Sequence, residues 1–355
     1  MSESNLVIVG VSEIAEMAGI TKQAVSNWRE RFADFPKPVA DLKSGPVWRY
    51  PTVQDWARLH GIELKALTEQ ESPAKTKSAV VVAVVNMKGG VGKSTVAANL
   101  GWYSAYSKDL RVLFVDLDPQ FNLSQYLLGS DAYEKSIIDA KKPTIVDVFE
   151  QATPTAKSES LDPKEVIMRV KRWSDGSLID LIPSSLEFSW TLRNTYAKEQ
   201  MLTQFISKVK KDYDLIILDC PPTESMLTDA AYLASDYILV PVLPEFLSTI
   251  GLPLLVRSMK QFAKRFEGHP VELAGIVFNA VSDRKEEHAR SKAFVEKVAR
   301  DQGWYVFKNE ITYSDSYPKG ARQGKPIFLT DYARQTKKNE QAAVTNEFLK
   351  QVGVP

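Results

Sequence analysis

Short, mostly apolar runs alternate with stretches of helical periodicity through most of this chain. The runs are Val80–Val85, Val112–Val115, Leu178–Ile182, Leu215–Leu218, Ile238–Val242 and Ala274–Phe278. Runs this short, apolar on consecutive positions, predict strands buried on both faces. Helical patterns separate most of them, which predicts a mostly parallel, doubly wound α/β sheet with helices on both faces. Residues 129–177 break the rhythm: they are rich in Lys, Asp, Ser and Thr, and yield one helix around Ile145–Glu150. Ahead of the first strand, residues 66–79 are polar with a single proline, Pro73, and read as a linker. The chain therefore divides into a small helical domain (1–65), a linker (66–79) and an α/β domain (80–355). No internal repeat is visible.

Composition changes this picture little. The 355 residues are 44% hydrophobic and 25% charged, as in ordinary soluble domains. A net charge of +1 gives no global argument for nucleic acid, so any such surface must be local. A single cysteine, Cys220, excludes a disulfide framework and a cysteine-ligated metal, and reads as a small buried residue. No basic segment followed by an apolar run opens the chain, and no apolar stretch reaches about 18 residues. The simple expectation is a cytoplasmic protein without a membrane anchor.

The chemistry concentrates at strand ends. Val80–Val85 runs into Lys88-Gly89-Gly90-Val91-Gly92-Lys93-Ser94-Thr95, and a helix follows. A strand, a glycine loop and a helix form a phosphate-binding layout: glycines let backbone N–H groups approach oxyanions closely. Lys93 can reach terminal phosphates, and the Ser94 hydroxyl can hold Mg²⁺. The strict pattern G-x-x-x-x-G-K-[ST] fails at its first glycine, where Met87 stands, and a second lysine, Lys88, follows. Two further strands end in acids: Phe114-Val115-Asp116-Leu117-Asp118-Pro119 and Leu215-Ile216-Ile217-Leu218-Asp219-Cys220-Pro221. Ligands of open parallel sheets sit at such carboxyl ends. Asp219 suits an acid holding Mg²⁺ directly or through water. Asp116 and Asp118 point different ways, so one can orient water while the other supports the metal shell.

Residues Lys88–Thr95 resemble the deviant Walker A motif, KGGxGK[ST], of the ParA/MinD ATPases. The resemblance continues through Asp116–Gln120, Leu218–Pro222, Pro244-Glu245 with Gly251-Leu252, Gly275–Asn279, and Tyr317-Pro318 with Gly324-Lys325-Pro326, covering about residues 80–352. It implies an ATP- and Mg²⁺-dependent homodimer that sandwiches two nucleotides. Lys93 would serve its own nucleotide. Lys88 would cross to the partner's phosphates, as an arginine finger does. Asp118 would orient the attacking water, with Asp116, Asp219 and Ser94 around the metal. Asn279 and the Pro318 region would face the adenine. A solvated loop lysine is the alternative for Lys88.

The N-terminal segment Val11–Trp28 reads as two short helices about a tight turn at Gly19, with Ser12 and Thr21 as N-caps. Ile14, Ala18, Ile20, Val25 and Trp28 would form its core. The second helix would expose Lys22, Gln23, Ser26, Asn27 and Arg31, residue types that read base edges and phosphates. Residues 21–50 hold six basic and three acidic side chains. Gly45–Pro51 would form a small wing with Arg49 near a DNA backbone, and Thr52–Asp55 has the form of a capping box. The segment resembles the winged helix-turn-helix of MerR-like proteins. The alternative is a three-helix module without DNA contact. Residues 256–300, with ten basic and six acidic side chains, are a second DNA-facing candidate, for binding without sequence preference.

Together these features imply a weak, partner-stimulated ATPase of the ParA type. It would be nucleoid-associated, would act with a ParB-like partner in DNA segregation, and would repress its own operon. A nucleotide-switched transcriptional regulator is the competing reading. A membrane-positioning ATPase would need a basic amphipathic C-terminal helix, whereas Asn339–Lys350 reads as a packed one. The lone cysteine excludes an iron–sulfur ATPase.

Overall fold

The computed structural model describes residues 8–32, 34–42, 45–62, 64, 78–150, 161–191, 198–246, 251–266, 269, 271–282 and 284–354. They form two compact units, one before residue 77 and one after it. Of the stretch read as linker, only Ser78 and Ala79 are described. Ala79 is already buried, and its N–H donates to the Lys210 carbonyl.

The first unit runs β1 (Ile8–Gly10), α1 (Val11–Ala18), α2 (Lys22–Arg31), β2 (Ala40–Leu42), β3 (Gly45–Arg49) and α3 (Tyr50–Leu59), with the strands in the antiparallel order β1-β3-β2. Gly19 takes φ +64° and lets the chain turn between α1 and α2. Thr21 caps α2, its hydroxyl accepting from the Ala24 N–H at 3.2 Å. Ser12 lies inside α1 instead of capping it, because the helix begins directly after β1. The Gly10 N–H donates to Glu13 Oε2. Thr52 likewise lies inside α3 and donates to the Arg49 carbonyl. Ile14 and Val25 are fully buried with Trp48 and Val53, while Ile20 and Trp28 pack at the edge and Ala18 is half-buried.

The second unit is built on a seven-stranded sheet: β4 (Val80–Val84), β5 (Arg111–Asp116), β6 (Met168–Arg172), β7 (Leu178–Ile182), β8 (Leu215–Asp219), β9 (Tyr237–Val242) and β10 (Glu272–Phe278), in the order β10-β9-β4-β8-β5-β7-β6. All pairs are parallel except β6–β7. The edge strand β6 lies in the segment whose pattern predicts no strand. Its residues alternate between half-buried and exposed, so no apolar run marks it. The helices in chain order are α4 (Lys93–Lys108), α5 (Asn122–Leu128), α6 (Ser130–Tyr133), α7 (Ile145–Glu150), α8 (Pro163–Val166), α9 (Phe188–Thr191), α10 (Glu199–Val209), α11 (Met226–Ala234), α12 (Gly251–Arg265), α13 (Glu286–Gln302), α14 (Ser316–Arg322) and α15 (Gln335–Gln351).

Each face of the sheet carries its own core. One holds α7, α10, α11 and α12, and the other holds α4, α5 and α15. The C-terminal helix buries Val344, Phe348 and Leu349 in that second core, as a packed helix should. Among the described residues no helix is long and apolar enough to cross a membrane.

Helix α4, which follows the glycine loop, is buried over most of its length and meets the sheet at Gly101. A Cβ there would fall into the Phe114 ring edge and 3.1 Å from Ile217 Cδ1. Gly101→Val is expected to destabilise the fold by about 1–3 kcal/mol through overpacking, read as a lower urea midpoint. An unchanged midpoint would show that α4 can shift.

Candidate phosphate-binding site

The carboxyl ends of three adjacent central strands converge. Register pairs Val84 with Asp219 and Asp116 with Asp219, so β4, β8 and β5 deliver the glycine loop and two acids to one edge. The loop turns through Gly90 (φ +77°) and Gly92 (φ +88°), conformations that favour glycine. Gly92 ends the loop as N-cap of α4, and its carbonyl accepts from the Val96 N–H at 2.8 Å. A cleft of about 530 Å³ opens over this helix start. Gly89, Gly90, Gly92, Lys93, Ser94, Thr95 and Asp118 line it, with Gln120, Asn122, Tyr126 and Arg322 on its other walls. Backbone N–H groups and the helix dipole make this a site for an anion.

The two lysines are placed differently. Lys93 is 7% exposed, lines the cleft, and has its ammonium 3.4 Å from the Lys88 carbonyl. Burial lowers its pKa, and Asp219 and Asp118 oppose that shift. Lys88 is half-buried and does not line its own cleft.

The three acids also divide. Asp116 Oδ1 accepts from the Asp118 N–H (3.1 Å), and Oδ2 accepts from the Ser124 N–H (2.8 Å) and hydroxyl (2.7 Å). It therefore braces Asp118 and α5, and it does not line the cleft. Burial raises its pKa to about 7. Asp118 lines the cleft, with Oδ1 held by the Gln120 N–H at 2.9 Å. Asp219 is fully buried, and neither carboxylate oxygen has a hydrogen-bond partner among the described residues. Burial first, and Asp116 next, push its pKa well up. The Ser94 hydroxyl is near enough to oppose that shift without completing a bond.

A buried carboxylate with no partner, beside a hydroxyl and a phosphate-type loop, fits a hard cation with oxygen ligands. Among the described residues no three His, Cys, Asp or Glu side chains converge as an all-protein cage. Mg²⁺ suits this: it is commonly held by few protein oxygens, with water and phosphate completing the shell. Asp219 and Ser94 would hold it.

Asn279 Nδ2 donates to the Val91 carbonyl at 2.8 Å, and a Cβ on Gly92 would overlap that amide. It fastens the loop from β10. Pro318 is exposed on α14 and does not line the cleft, whereas Ala321 and Arg322 of the same helix do. Cys220 is buried, and burial pushes its thiol pKa well up.

Sequence reasoning passed over three polar residues here. Ser124 completes the Asp116 brace. Asn86 binds the loop's first turn. Asn99, fully buried in α4, donates to the Thr95 carbonyl and Tyr126 Oη and accepts from the Ile327 N–H. The two asparagines carry a signal, a lone amide in or at the end of an apolar run that must find partners when buried, whereas Ser124 has polar neighbours and carries none.

This geometry defines a P-loop fold in which a second lysine of the loop, Lys88, does not line the cleft. A family model described as an AAA domain matches residues 79–269. The sporulation initiation inhibitor protein Soj of Bacillus subtilis is 30% identical over 254 residues, 71% of this chain and 91% of that protein. The cell division protein PomZ of Myxococcus xanthus is 27% identical over 338 residues, 94% and 91% of the two chains. That alignment is too long to be confined to the second unit. Cyanothece McdA, solved as an aspartate-to-alanine variant in complex with ATP, superposes with a TM-score of 0.64 at 18% identity, over 79% of this chain and 98% of that one. The chain belongs to the AAA-domain family, and within it is a ParA-type P-loop ATPase.

The unpartnered Asp219 should destabilise the metal-free protein. Its replacement, Asp219→Asn, is expected to raise the melting temperature by about 2–4 °C for each kcal/mol of desolvation relieved. The raised acids also set a sign with pH: the unfolded carboxylates ionise near 3.8 and Asp116 only near 7, so stability falls across that window as pH rises. The fall should be shallower in Asp219→Asn. A lower melting temperature for this variant would show that Asp219 is already compensated.

Proposed function

We propose that the chain binds ATP with Mg²⁺, dimerises through its phosphate loops and hydrolyses ATP slowly until a partner protein stimulates it. The observation that carries this reading is the opposite placement of two lysines five residues apart: Lys93 buried in its own cleft, Lys88 outside it. A lysine that does not line its own cleft becomes useful when a second copy brings another nucleotide to it. Lys93 and the backbone of Gly89, Gly90, Val91, Gly92 and Thr95 cradle the phosphates. Ser94 and Asp219 hold the metal. Asp118, fixed by Gln120 and Asp116, orients water. When bound, Mg²⁺ neutralises developing phosphate charge. Asn279 and the Pro318 helix flank the nucleoside end.

The dimer would then engage DNA and act in partition or intracellular positioning, in the cytoplasm and on the nucleoid, with a ParB-like protein as the stimulating partner. Arg257, Lys260, Lys264, Arg284, Lys297 and Arg300 support this: they are exposed and make no ion pair among the described residues. Lys285 and Lys292 are less available, paired to Glu245 and Glu310. The first unit would read a specific sequence, as autorepression requires. On α2, Lys22, Gln23, Asn27 and Arg31 are exposed, and Gln23 Nε2 donates to Asn27 Oδ1 at 3.3 Å, which orients both amides on one face. Ser26 bonds back to the Lys22 carbonyl and is half-buried. Arg49 is exposed at the end of β3 and would meet a phosphate of the DNA backbone. This solvent-facing amide pair also favours a second reading, a transcriptional regulator that uses nucleotide only as a switch.

Lys93→Ala is expected to abolish ATP binding in a fluorescent-nucleotide titration. Asp118→Ala should bind ATP normally but lose turnover by at least about 10²-fold and accumulate as a dimer. Normal turnover in Asp118→Ala would remove the water-orienting role and favour the regulator. Gln23→Ala with Asn27→Ala should weaken operator binding by roughly 1–3 kcal/mol per lost base contact. Binding to random DNA, measured against salt, should keep its slope. Equal loss on both DNAs would contradict the division of labour.

A further inference from the structure

We infer that Asn86 is a positioning residue that sets the direction of Lys88, and that the start of α12 is built against it. The inference rests on the reading that Lys88 acts on a partner's nucleotide.

Asn86 follows β4 where the backbone leaves the sheet, and it is 2% exposed. The β4–β9 ladder ends with the Val85 N–H donating to the Leu239 carbonyl. Two residues further along β9, the Pro241 carbonyl is taken by a side chain: Asn86 Nδ2 donates to it at 2.7 Å. The other end of the same amide accepts from the Lys88 N–H at 2.9 Å. One planar group thus joins the sheet to the first turn of the loop, with no slack between them. Its donor and acceptor sides are both used, so the amide orientation is determined by its partners.

Helix α12 closes the joint. A Cβ on Gly251 would lie 3.1 Å from Asn86 Oδ1, 3.5 Å from Lys88 Cβ and 3.7 Å from the Lys88 nitrogen. The Gly251 backbone therefore packs on the Asn86–Lys88 turn, and a larger residue would push it. Lys93 is carried by a different element: it is the first residue of α4, and only its ammonium, 3.4 Å from the Lys88 carbonyl, touches the turn. Removing the Asn86 amide should free the backbone that aims Lys88 while leaving the cradle around Lys93 standing.

The test uses full-length protein and compares Asn86→Ala, Lys88→Ala and the double variant. Three quantities are read: the dissociation constant for a fluorescent ATP analogue with Mg²⁺, the ATP-dependent dimer fraction, and kcat. Asn86→Ala should keep its nucleotide affinity within about twofold while kcat falls about tenfold or more, and the double variant should be no worse than Lys88→Ala, since residues acting as a unit are not additive. If Lys88→Ala itself dimerises and turns over normally, the trans-lysine reading fails, whatever Asn86 does. If Lys88→Ala is defective but Asn86→Ala behaves as wild type, loses nucleotide binding as well, or adds its full effect to Lys88→Ala, the positioning role is overturned. Should Asn86→Ala not fold, Gly251→Ala decides: lower kcat at unchanged nucleotide affinity supports the joint, and wild-type kcat overturns it.

Discussion

Burying Asp219 without a partner is the constraint on which this molecule turns. Strand β8 lies between β4 and β5 and is buried along its length, so the carboxylate at its end is withdrawn from water with both oxygens unbonded among the described residues. Burying a carboxylate with no hydrogen bond is costly even where, as here, a lysine charge lies nearby. Lys93 is drawn into the same dry corner and loses basicity there. Neither group is at rest in the protein alone. A cation with bound phosphates would satisfy both, and that would give the protein a built-in preference for its ligand.

The surrounding structure keeps that corner in shape. Asp116, directly across the register from Asp219, directs its own oxygens to Asp118 and Ser124 and so stays out of the cleft. Asn279 pins the loop from β10 and Asn86 pins it from β9. Asn99 ties α4 to α5 and to the chain beyond α14. Two side-chain amides thus hold the loop, while Asp116 and Asn99 fix the elements around it. Buried polar groups of this kind fix a unique geometry only when each is satisfied, and Asp219 is the exception among these anchors.

The parallel strands were legible because residues buried on both faces must be apolar at every position, and the glycine loop because its positive φ angles admit little else. The edge strand β6 was not legible: with one side open to solvent, Met168–Arg172 carries three basic residues and no run. Caps were read with mixed outcome. Thr21 works because α2 follows a free turn, whereas Ser12 does not because β1 runs straight into α1. The roles of the two neighbouring aspartates could not be separated by alternation alone. Their division depends on Ser124, eight residues beyond Asp116 and returned to it by α5. Asn86 and Asn99 stand out as isolated polar positions, but what they join lay hidden, because Pro241, Tyr126 and Ile327 are distant in sequence.

A lysine placed outside its own cleft makes sense as part of an interface that the nucleotide creates. Sedimentation velocity of wild type and Lys88→Ala, each saturated with ATP and Mg²⁺, tests this most directly. Wild type should move from monomer to dimer, and Lys88→Ala, shown by titration to hold the same nucleotide, should remain a monomer. A nucleotide-loaded Lys88→Ala that dimerises as fully as wild type would contradict the interface role of this lysine.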